Sequence, residues 1–316
     1  MSEQSCLICL GALPEGGNRY HPACCSRVFG SGRPPAFPHT QAEIDALATD
    51  AVRHHIAVPG VQPKLSLHLD HDAGAGTGRF TIVGLHGDFI LKPPVSRYPE
   101  MPELEHLTLR MAGQMGIATA PCALLPIQDG RLAFVSRRMD RSEGKKLAME
   151  DMGQILGKPT SEKYRGSLES IGRAIQQFCA NPGHDALRFF ELTIFCFLTG
   201  NSDMHLKNFS LLETPPDEIR LAPAYDLLPT ALILPEDTEE TALTLQGKKR
   251  RLTGKDFRRF GAAIQLGDRQ VENALQRCQR QLPSAIDLIA QGFCTPETAA
   301  RYRQLVLERA ARLERD

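Results

Sequence analysis

The chain has 316 residues, 42% hydrophobic and 23% charged, an ordinary globular balance with length enough for two lobes. Lys plus Arg and Asp plus Glu each number 37, so no net field draws the chain toward nucleic acid or an anionic membrane, and direct nucleic-acid binding is not expected. The longest apolar stretch, Phe189 to Leu198, is short and holds Glu191, which excludes a membrane span. The N-terminus lacks the basic region and apolar core of a secretory signal. Nine cysteines, with no framework spacing beyond residue 25, point to a reducing cytoplasm.

Residues 1–50 read as a cysteine-rich, knuckle-like segment and a linker. Cys6-x2-Cys9 has the spacing of a structural zinc pair, while His21-x2-Cys24 is tighter than usual for histidine. The set reads either as a structural zinc site or as small buried hydrophobes with an incidental histidine, and Cys25 offers an alternative ligand. A filled site is expected to lie outside the two lobes and to leave catalysis untouched. GSGRPPAFPHT (30–40) is breaker-rich and reads as linker, as does His54-His55.

Residues 51–138 alternate as strands do, at 64–70, 79–83 and 88–92, with AGAGTG (73–78) as a hairpin tip. That tip misses the spacing of dinucleotide and Walker loops. Leu104, Leu107, Met111 and Met115 recur at helical spacing over 103–115, and Gly116 stops the helix. Strands follow at 122–127 and 132–138, around the turn Gln128-Asp129-Gly130. Residues 139–316 are mainly helical, at 167–180, 184–199, 255–265, 268–281 and 296–314, with short strands at 209–212 and 219–222. A small sheet-rich lobe followed by a larger helical one is an α+β architecture with a cleft between. The basic run GKKRRLTGK (247–255) reads as a solvated flank or a docking patch.

GNSDMHLKNFSLL (200–212) follows a hydrophobic helix and leads into a strand. Asp203 and Asn208 stand five positions apart, the spacing of a phosphoryl-transfer loop. There a carboxylate accepts the proton of a hydroxyl nucleophile, and an amide oxygen one short turn away holds magnesium. A plain turn also accommodates this stretch taken alone. LAPAYDLLPT (221–230) adds Asp226, where a second magnesium ligand is needed. FILKPP (89–94) ends an apolar strand on Lys92, a point charge for phosphates, with Glu105 the first candidate partner and Glu103 the second. VPGVQPKLSL (58–67) holds one glycine, Gly60, that lets backbone N–H groups approach a phosphate, and Lys64 adds charge.

GVQPKLSL, FILKPP, MPELEHLTLRMA, FVSRRMDR (134–141), NSDMHLKNFSLL and APAYDLLPT stand in the order found in the HipA family, which the chain resembles from about residue 55 to 257. The resemblance implies a bilobal protein-kinase-like fold and a serine/threonine protein kinase using ATP and Mg2+. It further implies a toxin of a toxin–antitoxin system acting on a translation component such as an aminoacyl-tRNA synthetase. Asp203 would be the base, Asn208 and Asp226 the magnesium ligands. Gly60, Val61, Gln62, Lys64, Lys92, Glu105, His205 and Lys207 would serve ATP, with backbone from Val135 to Arg137 on adenine. Glu150 and Asp151 resemble an acidic pair of the family's cleft. Relatives silence themselves through a loop serine, but here that position is Ala57, followed by Val58 and Pro59. Only about fifty residues precede the loop, as in compact relatives whose missing subdomain comes from a separate small protein. A DNA-binding antitoxin is the other expected partner. A small-molecule kinase and a non-catalytic, kinase-shaped partner of a DNA-binding antitoxin remain as alternatives.

Overall fold

The computed structural model describes residues 5–14, 18–53, 63–71, 78–84, 87–142, 145–214 and 216–314, with the side chains of 48–53 and 71 excepted. Ala57, Val58, Pro59, Gly60, Val61 and Gln62, the pair His54-His55, and 73–77 of the hairpin tip lie outside those residues. The chain forms two compact units, neither contiguous in sequence. The first holds Met1–Leu107, Ala120–Arg138 and Gln291–Thr295, and the second holds Thr108–Thr119, Met139–Ala290 and Pro296–Asp316.

The first unit opens with two helices, α1 (Pro22–Phe29) and α2 (Gln41–Arg53). Its strands are β1 (Leu65–His71), β2 (Gly78–Val83) and β3 (Phe89–Lys92), then helix α3 (Met101–Gln114), whose residues from Thr108 belong to the second unit. Strands β4 (Cys122–Pro126) and β5 (Leu132–Arg137) complete one antiparallel sheet in the order β2-β1-β3-β5-β4. Alternation decides its faces. Leu65, Leu67 and Leu69 are buried while His68 and Asp70 are exposed. Phe29 of α1 stacks edge-on to Phe80 of β2, 6.0 Å between centroids, and Phe80 meets Phe89 of β3 at 5.1 Å.

Residues 30–40 form no helix or strand, yet an isolated bridge at Ala36 ties them to the sheet within the same compact unit. Their breakers disguise a segment that runs along the sheet. Ala36 N–H donates to the Gly78 carbonyl (2.8 Å), and Phe80 N–H donates to the Ala36 carbonyl (3.0 Å), so this segment covers the β2 edge. At the other edge, Leu124 of β4 donates its N–H to the Leu7 carbonyl (2.9 Å) and accepts from the Tyr20 hydroxyl (2.8 Å). An exposed edge is a template for unwanted pairing, and Leu7, Tyr20 and Ala36 cover part of each edge. Cys6, Leu7 and Ile8 belong to the same buried cluster as the strand leucines, so the cysteine-rich start is part of this unit's core.

The second unit begins with the short pair β6 (Arg141–Ser142) and β7 (Lys145–Lys146), then β8 (Met149–Asp151) and α4 (Met152–Ile155). Helices α5 (Leu168–Phe178) and α6 (Pro182–Leu198) follow, then β9 (Ser210–Thr214) and β10 (Glu218–Leu221), which join β8 in an antiparallel sheet ordered β10-β9-β8. The chain closes with α7 (Thr230–Ile233), α8 (Gly254–Ala263), α9 (Asp268–Asp287) and α10 (Pro296–Leu313). The expected end of α9 at 281 is passed, and the helix runs through Pro283 to Asp287. Helix α6 is apolar nearly all round because it is central. Its Phe189 and Phe190 pack on Phe260 of α8, and Phe197 on Phe257. Among the described residues, no helix is long and apolar enough to cross a membrane.

Candidate active site

In the second unit the polar loop after α6 is set by how the helix ends. Gly200 takes a left-handed φ of 69°, donates its N–H to the Phe197 carbonyl (3.2 Å), and lets Asn201 N–H return to the Cys196 carbonyl (2.9 Å). This is a glycine C-cap that turns the chain sharply off the helix axis. Asn201 Oδ1 then accepts from Asp203 N–H (3.2 Å), a side-chain turn. Ser202 N–H donates to Thr230 Oγ1 (2.8 Å), tying the loop to α7.

Asp203 is half-buried, and one of its carboxylate oxygens accepts from the Tyr164 hydroxyl at 2.7 Å. Its own carbonyl accepts from His205 N–H (2.8 Å) and from the Asn208 side-chain amide (3.1 Å). That last bond orients Asn208. With the amide nitrogen given to the backbone, the amide oxygen is the end left for a ligand. His205 is buried edge-on against Tyr164, and burial holds its imidazole below the ordinary pKa. Burial and then the bond to Asp203 push the Tyr164 phenol up, so it remains a donor.

Lys207 Nζ donates to Asp151 Oδ2 (2.6 Å), while Asp151 Oδ1 caps α4 by accepting Gln154 N–H (3.0 Å). Glu150 is exposed. The Tyr225 hydroxyl bridges Ser210 Oγ (2.6 Å) and the Lys207 carbonyl (3.0 Å), fixing the residue before Asp226. Asp226 holds a left-handed φ of 58°, a conformation that costs an L-residue energy and concentrates at functional positions. Asn208 would offer an amide oxygen and Asp226 a carboxylate oxygen, donor types that magnesium takes alongside water and phosphate.

In the first unit, Lys92 ends β3 buried and pairs with Glu105 Oε1 of α3 at 2.5 Å, with Nζ 5.5 Å from the centroid of the Phe134 ring. Glu105 is the partner and Glu103 is not. Burial, reinforced by the Glu100 charge, pushes the Glu103 carboxyl up to about 7. Lys64 is half-buried directly before β1. Strand β5 is interior, with Val135 opposite Leu91 on one side and Ala123 on the other, and Arg137 N–H goes to the Pro121 carbonyl (2.8 Å). Both flanks of the Val135 backbone face paired strands. Sequence reading missed Tyr164, which lies 39 residues before Asp203 in no recognisable spacing.

Cys6, Cys9, His21 and Cys24 come together in this unit, their ligand atoms all within 4.8 Å of one another. Cys25 is buried in the apolar cluster instead.

A strand-rich unit with a buried lysine–glutamate pair, and a helical unit with an Asp–Asn loop and a left-handed aspartate, are features of the kinase-like class. A profile of the HipA-like C-terminal domain matches residues 56–286, and the chain belongs to that family. A protein called putative kinase Y4dM from Sinorhizobium fredii is 31% identical over 275 residues, 83% of this chain and 64% of that protein. The chain therefore spans just under two thirds of that relative. The solved complex of Shewanella oneidensis HipA with HipB and operator DNA, a toxin–antitoxin system, contains a chain similar in fold at TM-score 0.67 and 19% identity, with coverage of 96% of this chain and 75% of that one. The Helicobacter pylori proinflammatory kinase CtkA is similar at TM-score 0.54 and 14% identity, over 78% of this chain and 93% of that one. The fold is α+β and kinase-like, of the HipA kind.

Proposed function

We propose that this chain is a kinase that transfers the γ-phosphoryl group of ATP, with magnesium, to a serine or threonine hydroxyl of a protein. The observation that carries this reading is the loop 203–208. It presents one carboxylate steadied by Tyr164, and one amide whose nitrogen is already bonded to the Asp203 carbonyl. Asp203 accepts the proton of the acceptor hydroxyl as that oxygen bonds to the γ-phosphorus and ADP leaves. Asn208 and Asp226 would hold magnesium, which neutralises charge on the phosphates when bound. Lys92, kept extended by Glu105, is the lysine for the ATP phosphates. His205 and Lys207 shape the loop, and with Lys64 and residues 60–62 they complete the proposed ATP contacts.

By likeness to the toxin–antitoxin complex, the chain acts as a toxin on a translation component such as an aminoacyl-tRNA synthetase. It is held in check by a DNA-binding antitoxin or a small subdomain-like protein. The reading is tested with γ-labelled ATP, purified chain and cell lysate. Label on serine or threonine of a protein band supports it. Label only in small solutes makes the chain a small-molecule kinase, and no transfer at all makes it a non-catalytic partner.

A further inference from the structure

We propose that Cys6, Cys9, His21 and Cys24 form a structural zinc site that fastens the N-terminal segment to the sheet of the first unit. Four ligand atoms of the right kinds lie within 4.8 Å of one another. Cys9 Sγ is 3.3 Å and Cys24 Sγ 3.9 Å from His21 Nδ1. Zinc bonds of about 2.3 Å to sulfur and about 2.0 Å to nitrogen set tetrahedron edges of about 3.5–3.8 Å, so these separations need only small adjustments.

The surroundings are those of a ligand set. His21 Nε2 lies 2.9 Å from the Ala12 carbonyl, which can only accept. That contact requires the proton on Nε2 and leaves the Nδ1 lone pair facing the thiols, the outer-shell arrangement that orients a metal-bound imidazole. His21 N–H also donates to Cys6 Sγ (3.4 Å), a bond that a thiolate accepts better than a thiol. Between the two pairs the chain makes a tight turn. Leu10 is buried at a left-handed φ of 67°, and a Cβ on Gly11 would stand 3.4 Å from Cys9 Sγ and 3.6 Å from His21 Cε1. A left-handed leucine is costly unless its surroundings hold it. With four protein ligands the site has no open position, which defines it as structural. Binding balances as one Zn2+ taken up and three thiol protons released, the imidazole staying neutral.

The site's reach follows from its neighbours. Leu7 and Ile8, between the first two ligands, are buried. The Leu7 carbonyl caps Leu124 at the β4 edge, and the Ile8 carbonyl lies 3.0 Å from His106 Nε2, one residue beyond Glu105. A metal lost here therefore loosens the edge cap and the turn of α3 that carries Glu105.

The test uses the full chain, purified without chelator or metal-affinity resin and analysed for metals, with zinc X-ray absorption on the same sample. About one zinc per chain, with three sulfurs and one nitrogen in its shell, is the expected result. Cys9→Ser should bring zinc to background, whereas His21→Cys should keep it with a four-sulfur shell. Hydrogen exchange after zinc removal should rise at 122–126 and 101–107 and stay unchanged in α9. Metal-free wild-type protein that neither takes up added zinc nor melts higher with it would overturn the proposal, even if the variants fail to fold. So would a wild-type shell of four sulfurs, or iron in place of zinc.

Discussion

Tyr164 donates its hydroxyl to the carboxylate on which the proposed chemistry turns, and its own proton is secured by burial and by that bond. Its part is to orient Asp203. A hydrogen bond to a charged group at a partly exposed site is worth about 1.4 kcal/mol, so Tyr164→Phe should lower kcat about tenfold with little change in the acceptor KM. Asp203→Asn keeps the shape and removes the base, and should cost about a hundredfold or more, with folding intact. Steady-state kinetics on the two variants checks both, and an unchanged kcat in Tyr164→Phe would remove the orienting role. Glu103 gives a prediction of another kind. Its folded pKa of about 7 lies above the ordinary 4.5, so between those values the folded chain binds more protons than the unfolded one. Stability therefore falls as pH rises through that window. Glu103→Gln should flatten the slope and stabilise the chain above pH 7 by on the order of 1–3 kcal/mol. Urea unfolding at pH 5 and pH 8 measures this, and equal slopes in the two proteins would count against it.

Helix α6 is the element that aims the loop, and its last turn depends on Gly200. A Cβ there would stand 2.6 Å from Leu305 Cδ2 and 3.0 Å from Ala231 Cβ, on a backbone already left-handed. Gly200→Ala should cost about 2 kcal/mol and reduce transfer through a misplaced Asp203, visible as a lowered melting temperature together with lost kcat. Normal turnover in a destabilised variant would separate the cap from the loop geometry. The helix itself was plain in the sequence, as were β1, β3 and α3, because alternation at Leu65, Leu67 and Leu69 and the spacing of Leu104, Leu107 and Met111 are local signals. Helices α1 and α2 were not, since the glycines and prolines between them suggested a connector. Strand order is a non-local property, so nothing in 132–138 revealed that β5 lies inside the sheet. The same holds for Tyr164 and for the pairing of Lys207 with Asp151. Asp203, Asn208 and Asp226 could be proposed from sequence because their spacing is local, whereas the groups that hold them are chosen by the fold.

At the scale of the whole molecule, each unit is assembled from separated stretches of chain, so neither can be cut out as one fragment. Residues 57–60 are Ala-Val-Pro-Gly and carry no hydroxyl, and Ser66 Oγ accepts Gly87 N–H (3.0 Å) from its place in β1. Self-silencing by phosphorylation at this loop is therefore not expected. Mass spectrometry after incubation with ATP should find no stoichiometric phosphate there, and phosphate on Ser66 with loss of activity would sink the idea. The capped edges of the first sheet bear on synthesis. Leu7 is made early, but the strand it covers includes Leu124, and a ribosome adding about 5–20 residues per second needs roughly 6–24 s to bridge that interval. Throughout it the Leu7 carbonyl has no Leu124 N–H to cap. The nascent chain thus carries an uncovered apolar hook until the hairpin of β4 and β5 emerges, a window in which a chaperone or a neighbouring nascent chain competes for the place that β4 later fills.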